Sequence, residues 1–132
     1  KRLKVRCAEA FEGLEQVTTR QDIIFSDIYL QEGMHPTQTT ADYIQHCAQR
    51  LKAEGMLVTN CWREHQNDDQ VLHLIQAQFA HVATCSTADH NWLIFASQQP
   101  LTPTPEHREQ AKVLSKTLGY SLNKHLKRLQ QA

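Results

Sequence analysis

The chain has 132 residues, of which 40% are hydrophobic and 21% charged, so its length and composition suit one domain with a single core. Fourteen basic residues balance fourteen acidic ones, and this gives no electrostatic support for binding nucleic acid or an anionic membrane. No apolar run approaches the roughly 18 to 20 residues of a membrane span, and no signal segment opens the chain. We therefore expect residues 1–132 to form one soluble, cytoplasmic domain.

The first third of the sequence predicts two strands separated by a short helix. Residues 2–8 alternate polar and apolar side chains, which is the period of a half-exposed edge strand, and a helical turn follows at 9–14. The apolar run 23–25 predicts a central strand over 22–27 that is buried on both faces. Asp27 stands at the C-terminal tip of this strand, the edge at which open α/β sheets bind ligands.

A long loop and a crossover helix follow. The loop 28–39 exceeds the usual length of a βα connection, and long loops at this edge are often functional. Thr39 or Thr40 can cap the next helix, and Gly55 is expected to end it in a left-handed conformation. The run 56–62 predicts a second strand, so the strand, helix and strand form a parallel unit. The predicted apolar face of the helix consists of Tyr43, Ile44, Cys47, Ala48 and Leu51.

The second half predicts a helix, a hairpin and a helical tail. A polar linker at 63–67 precedes a helix at 68–80, and strands at 81–87 and 91–97 flank a short turn at 88–90, which indicates an antiparallel hairpin. A proline-rich loop at 98–105 leads to a helix at 106–118, which Gly119 separates from a second helical stretch at 120–129. The basic residues of this tail favour a solvated surface over an anion site. The fold class is therefore α/β.

Cysteines and histidines give no indication of a metal site. The four cysteines form no CxxC pair, and the eight histidines form neither HxH nor HExxH. We expect the cysteines to act as small core side chains, with Cys7 and Cys61 in strands and Cys47 on the apolar face of a helix.

Four stretches resemble successive segments of one protein family. They are RLKVRCAEAFEGL at 2–14, QDIIFSDIYLQEGM at 21–34, TADYIQHCAQRLKAEGMLVTNCW at 40–62 and HVATCSTADHNWLIFAS at 81–97. Together they resemble the spermidine synthase group of the class I S-adenosylmethionine-dependent methyltransferase superfamily. The resemblance implies a partial Rossmann-like three-layer sandwich, with a mostly parallel sheet that ends in an antiparallel strand pair.

The resemblance also assigns roles to individual residues. Glu9 and Ala10 match the acidic-Ala pair at which the acid contacts the adenine amine of the nucleoside, and Asp27 matches the catalytic aspartate. Tyr29, Glu32 and Cys85 are the implied substrate-binding positions. The implied donor is S-adenosylmethionine or decarboxylated S-adenosylmethionine, and the implied acceptor is a small-molecule amine. A carboxylate suits this chemistry because it can accept a proton from an attacking amine.

The sequence departs from the family pattern at three places. Leu30 replaces a second aspartate, and Cys85 replaces a tyrosine that lines the polyamine site. The four glycines form no GxGxxG motif, so we expect a C-terminal portion of the transferase domain that lacks the glycine-rich loop. Such a chain alone should be inactive and should bind the donor weakly. Its open sheet edge predicts either an altered pairing of the first strand or a homo-oligomer.

Three hypotheses about function follow from this pattern. The first is a spermidine-synthase-like transferase domain that uses an adenosyl-sulfonium donor. The second is a small-molecule methyltransferase on the same scaffold, which Leu30 and Cys85 favour. The third is a degenerate fold retained as a non-catalytic binding or dimerisation module.

Overall fold

The computed structural model describes residues 3–67, 69–87 and 90–132. Its helices are α1 (Ala10–Glu15), α2 (Ala41–Arg50), α3 (Asp69–Gln76), α4 (Pro105–Leu118) and α5 (Asn123–Leu126), with 3₁₀ turns at Pro36–Thr39 and Arg63–Asn67. Its strands are β1 (Gln21–Ser26), β2 (Tyr29–Leu30), β3 (Gly33–Met34), β4 (Leu51–Trp62), β5 (His81–Ser86), β6 (Asn91–Ser97) and β7 (Gln130–Gln131).

Five strands form one mixed sheet in the order β1, β4, β6, β5, β7. β1 and β4 run parallel and are joined through α2, so the predicted strand, helix and strand unit is confirmed. β5 and β6 form the predicted antiparallel hairpin, and β6 also pairs antiparallel with β4. The turn predicted at 88–90 lies partly outside the described residues. β2 and β3 form a separate two-stranded ribbon within the loop that follows β1.

The core lies between α2, α3 and one face of the sheet, which we call the helix-covered face. Thr40 caps α2 as predicted, because its Oγ1 accepts a hydrogen bond from the Tyr43 amide at 3.3 Å. The predicted apolar face of α2 is largely confirmed, since Tyr43, Ile44 and Cys47 are buried. Side chains from the sheet and α3 complete this core: Leu57, Cys61, Val71, Ile75, Val82, Trp92, Ile94 and Ala96.

β1 lies at the edge of the sheet, so its prediction as a central strand buried on both faces was wrong. Ile24 and Ser26 point to the helix-covered face, where Ser26 is buried. Ile23 and Phe25 point to the opposite face and are 49% and 74% exposed. Three apolar residues in succession indicate a strand between two layers, but the cover on each face depends on distant parts of a chain.

The predicted first strand is also absent from the described part of its range. Residues 3–8 adopt no regular structure, and residues 1–2 lie outside the description. Cys7 is exposed, which corrects its prediction as a core residue in a strand, whereas Cys47 and Cys61 are buried. The alternation of side chains in this segment had no sheet partner to fix it as a strand.

Gly55 does not end α2, contrary to the sequence prediction. The helix ends at Arg50, Leu51 is already extended, and Gly55 lies buried within β4. The pairing register between β1 and β4 shifts between Gln21 and Ile23, opposite residues 51 and 56. A Cβ atom at Gly55 would lie 3.0 Å from the Gln21 carbonyl oxygen, so glycine permits the close approach of the strands there.

Element ends in the second half differ from their predictions by several residues. α3 covers Asp69–Gln76 rather than 68–80, and residue 68 lies outside the description. Gly119 ends α4 in a left-handed conformation with φ of 76°. The predicted second helical stretch is the single turn α5, after which the chain forms β7 and pairs with β5. None of the helices in the described residues is long and apolar enough to cross a membrane.

Candidate functional site at the carboxyl end of the parallel strands

Asp27 and Asn60 meet where the two parallel strands end. Ser26 lies opposite Thr59 in the β1–β4 register, so the next residue of each strand falls side by side. The Asn60 Nδ2 donates a hydrogen bond of 3.0 Å to the Asp27 Oδ1. The other carboxylate oxygen of Asp27 has no protein donor in the described residues, and Asp27 is exposed. The carboxylate is therefore oriented from one side and open to a ligand on the other.

The buried side chain of Gln38 links the carboxyl ends of β1 and β4 through hydrogen bonds. Its side chain is 2% exposed, and its Oε1 accepts hydrogen bonds from the Ser26 hydroxyl at 2.9 Å and the Ile28 amide at 2.8 Å. Its Nε2 donates to the Asn60 carbonyl oxygen at 2.8 Å. One side chain thus joins the residues that flank Asp27 to the backbone of Asn60.

Tyr29 and Trp62 form an aromatic wall beside this pair. Their ring centroids lie 5.7 Å apart, and the Tyr29 hydroxyl donates to the Asn60 carbonyl oxygen at 3.1 Å. Burial, with smaller contributions from Cys61 and Asp27, raises the pKa of Tyr29 to about 12, so its hydroxyl remains a donor. Gly33, with φ of 141°, packs against Trp62, because a Cβ there would lie 3.2 Å from the indole ring.

A cavity adjoins the aromatic wall formed by Tyr29 and Trp62. It has a volume of about 330 Å³ and is lined by Trp62, Arg63, Glu64, His90 and Asn91. Trp62 therefore contacts the Tyr29 ring and also lines this cavity.

The strand that the acidic-Ala match implies before Glu9 is absent from residues 3–8. Instead, Glu9 is the N-cap of α1, and Ala10 is the first residue of that helix. Its Oε2 accepts hydrogen bonds from the amides of Phe11 at 2.8 Å and Glu12 at 3.2 Å, while Oε1 has no donor among the described residues. The carboxylate therefore caps a helix and keeps one oxygen for another donor. Burial, with smaller contributions from the nearby Cys47 and Glu9 side chains, raises the pKa of Tyr43 to about 12.

The remaining predicted site residues are dispersed. Glu32 is exposed in the turn between β2 and β3, in the same loop as Tyr29, and Leu30 is 52% exposed. Cys85 lies opposite Leu93, which lies opposite Asn60, so it is two strands, or about 10 Å, from Asn60. The structure thus brings Asp27 and Tyr29 together and places Cys85 in a different cavity. No group of three or more metal-ligating side chains lies together within residues 3–67, 69–87 and 90–132.

Two residues of the site, Asn60 and Gln38, are absent from the sequence-based predictions. Asn60 occupies the same kind of position as Asp27, near the C-terminal end of a parallel strand, and that position in the sequence already indicates the ligand-binding edge. Gln38 gave no such signal, because a polar residue in a loop is usually exposed. Its burial depends on the fold of the whole 28–39 segment.

Comparison with known proteins supports the fold. No family model matches the chain, and none of the curated proteins does. Human methyltransferase-like protein 13, solved in complex with SAH, is 24% identical with a TM-score of 0.73 over 89% of this chain. A probable spermidine synthase from Corynebacterium glutamicum is 20% identical with a TM-score of 0.66 over 97% of this chain. MnmC2 from Aquifex aeolicus is 17% identical with a TM-score of 0.51 over 84% of this chain.

These similarities establish a class I methyltransferase-like α/β fold, so the predicted fold class is confirmed. The chain spans 47% of the spermidine synthase, 60% of the methyltransferase-like protein and 35% of MnmC2. The identities are low enough that the comparisons concern the fold alone.

Proposed function

We propose that this chain carries the acceptor side of a transferase that uses an adenosyl-sulfonium donor. The observation that carries the proposal is the Asp27–Asn60 hydrogen bond of 3.0 Å at the carboxyl ends of two parallel strands. In open α/β folds this edge is where ligands bind. The methyltransferase-like fold makes a sulfonium donor the first choice among the possible ligands.

The chemistry of Asp27 suits an amine acceptor. When bound, the donor supplies a carbon attached to a positively charged sulfur. The carbon–sulfur bond breaks, and the sulfur leaves with its electron pair. An amine that forms the new nitrogen–carbon bond must lose a proton, and the Asp27 carboxylate can accept it directly or through water. Asn60 holds one carboxylate oxygen, which leaves the other for the amine. The Tyr29 and Trp62 rings favour a cationic acceptor beside them.

Glu9 is the residue of this chain that suits the donor. Its free Oε1 can accept a hydrogen bond from the exocyclic amine of adenine, and Ala10 leaves space beside it. The 132 residues contain no GxGxxG loop for close backbone approach to a nucleoside. We therefore assign to the chain the adenine edge and the acceptor side of the site, with S-adenosylmethionine or its decarboxylated form as the donor.

Aminopropyl transfer and methyl transfer remain two candidate reactions on this scaffold. Leu30 is half-exposed at the position where the resemblance implies a second carboxylate, so a diamine would lack one of its two anionic partners. This favours a small-molecule methyltransferase. Glu32, exposed in the same loop, provides a carboxylate that can replace the missing one and favours aminopropyl transfer to a polyamine.

The two reactions can be separated by offering both donors to the gene product that carries this chain. Transfer from decarboxylated S-adenosylmethionine to putrescine would identify the aminopropyl reaction, and transfer from S-adenosylmethionine to a small amine the methyl reaction. We expect turnover with one donor and less than a hundredth of that rate with the other. Absence of transfer from both donors to a panel of amines would contradict the proposal and leave the non-catalytic module.

A further inference from the structure

A groove lies on the face of the sheet opposite α2 and α3. It has a volume of about 710 Å³. Its floor consists of side chains from β4, β5 and β6, including Met56, Leu93 and Phe95. One wall is the 100–103 loop and the other contains Leu126 and Leu129 of the C-terminal segment. We call this cavity the C-terminal groove. Neither Asp27 nor Asn60 lines it.

The fold fixes the wall of the C-terminal groove. β7 pairs with β5, and the Ala132 amide donates to the Val82 carbonyl oxygen at 3.0 Å, so the chain end is held against the sheet. The turn between α4 and α5 is held by the Leu122 amide, which donates to the Ser115 hydroxyl at 2.9 Å. The groove is therefore bounded by hydrogen-bonded structure on the side of the C-terminal segment.

The described residues that line the C-terminal groove include one charged side chain, Arg128, and two imidazoles. His107, His125 and Arg128 contribute to its lining, and the described lining residues include no aspartate or glutamate. The Arg128 side chain has no acceptor among the described residues, and the Nδ1 of His107 accepts from the Thr104 amide at 3.2 Å, which leaves Nε2 free. His107 also lies in the first turn of α4, where the helix dipole favours negative charge.

We propose that the C-terminal groove binds a ligand that has an apolar body and a carboxylate head. Its volume lies within the roughly 300–1,000 Å³ of small-molecule sites. The apolar body would cover Met56, Leu93 and Phe95, and the carboxylate would face the guanidinium of Arg128, whose planar fork matches two oxygens. This site is independent of the proposed transfer reaction, and it changes the interpretation of the basic tail as a merely solvated surface.

Two probes with the same alkyl chain and opposite charge test the proposal on the 132-residue chain. Decanoate and decyltrimethylammonium, both below their micelle concentrations, are titrated by calorimetry. We expect decanoate to bind at least about tenfold more tightly, as a charge-assisted hydrogen bond provides. Equal affinities, or tighter binding of the cation, would overturn the proposal.

Substitutions of two exposed arginines test whether the ligand binds in the C-terminal groove. Arg128→Gln should weaken decanoate binding about tenfold, because it removes the guanidinium from the groove lining. Arg108→Gln is the matched control, since Arg108 is exposed on α4 and does not line the groove. Both residues are exposed, so neither change should disturb folding. Unchanged binding in Arg128→Gln, or equal weakening in both variants, would place the ligand elsewhere and overturn the proposal.

Discussion

At the scale of residues, the site depends on a glutamine that no ligand would touch. Gln38 accepts from the Ser26 hydroxyl and the Ile28 amide and donates to the Asn60 carbonyl oxygen, so it bonds both neighbours of Asp27. Ser26 and the Asn60 carbonyl keep other partners, Tyr43 and Tyr29, when Gln38 is removed. The Ile28 amide is then the group that loses its side-chain acceptor.

Gln38→Leu should therefore destabilise the chain by about 1–3 kcal/mol, the cost of leaving a buried polar group without its partner. Urea unfolding followed by circular dichroism measures the change. Gln45→Leu is the control, because Gln45 is exposed on α2 and its replacement should stay within about 0.5 kcal/mol. A loss for Gln38→Leu no larger than for Gln45→Leu would show that the network does not support the strand end.

At the scale of elements, the predictions succeeded where local patterns decide the structure. α2 begins at the predicted Thr40 cap and buries most of its predicted apolar face, and the β5–β6 hairpin lies where its alternation indicates. The predictions failed where a neighbouring strand from another part of the chain decides the structure. Residues 3–8 have the alternation of a strand but no strand beside them, and Gly55 lies opposite Gln21 rather than at a helix end. The sequence and its resemblance predict Asp27 and Tyr29 as candidate site residues, whereas the burial of Gln38 follows only from the folded loop.

The register shift in the pairing of β1 with β4 gives Gly55 a packing role that can be tested. A Cβ there would lie 3.0 Å from the Gln21 carbonyl oxygen and 3.0 Å from the Lys52 amide nitrogen, and neither backbone atom can move without shifting a strand. We expect Gly55→Ala to cost about 1–3 kcal/mol through overpacking. The measurement is again the urea midpoint at constant slope.

Gly13→Ala is the matched control for Gly55→Ala. The nearest atom to a Cβ at Gly13 is the Ala8 Cβ at 3.8 Å, an ordinary contact, and Gly13 lies within α1. This change should be neutral or stabilise the chain by up to about 1 kcal/mol, since alanine favours a helix over glycine. Equal destabilisation by both changes would contradict the assignment of a packing role to Gly55.

At the scale of the whole molecule, the sheet has an open edge with apolar side chains beside it. Within the described part of the chain, β1 pairs with β4 on one side and has no strand on the other, and Phe25 is 74% exposed. Exposed strand edges favour association, and the zero net charge provides no repulsion between copies. A homo-oligomer formed through this edge therefore stays a prediction.

Sedimentation velocity over a concentration series tests this association. We expect a dimer at micromolar concentration and a shift toward monomer in Phe25→Lys, because a charged side chain beside the edge opposes pairing. Val113→Lys provides the comparison, since Val113 is 68% exposed on α4, far from β1 in the chain. A monomer at all concentrations, or an equal effect of both changes, would contradict association through β1.

The central claim is that Asp27 acts at the acceptor of a transfer reaction, and one pair of variants tests it most directly. Asp22 lies on β1, the strand that Asp27 directly follows, is exposed like Asp27, and pairs with Lys52 at 2.7 Å. In the gene product that carries this chain, Asp27→Asn should lower the rate of transfer about 10²- to 10⁴-fold, as loss of a general base does. Asp22→Asn should leave that rate within about twofold, since surface changes away from a site have small effects. An unchanged transfer rate in Asp27→Asn would contradict the claim.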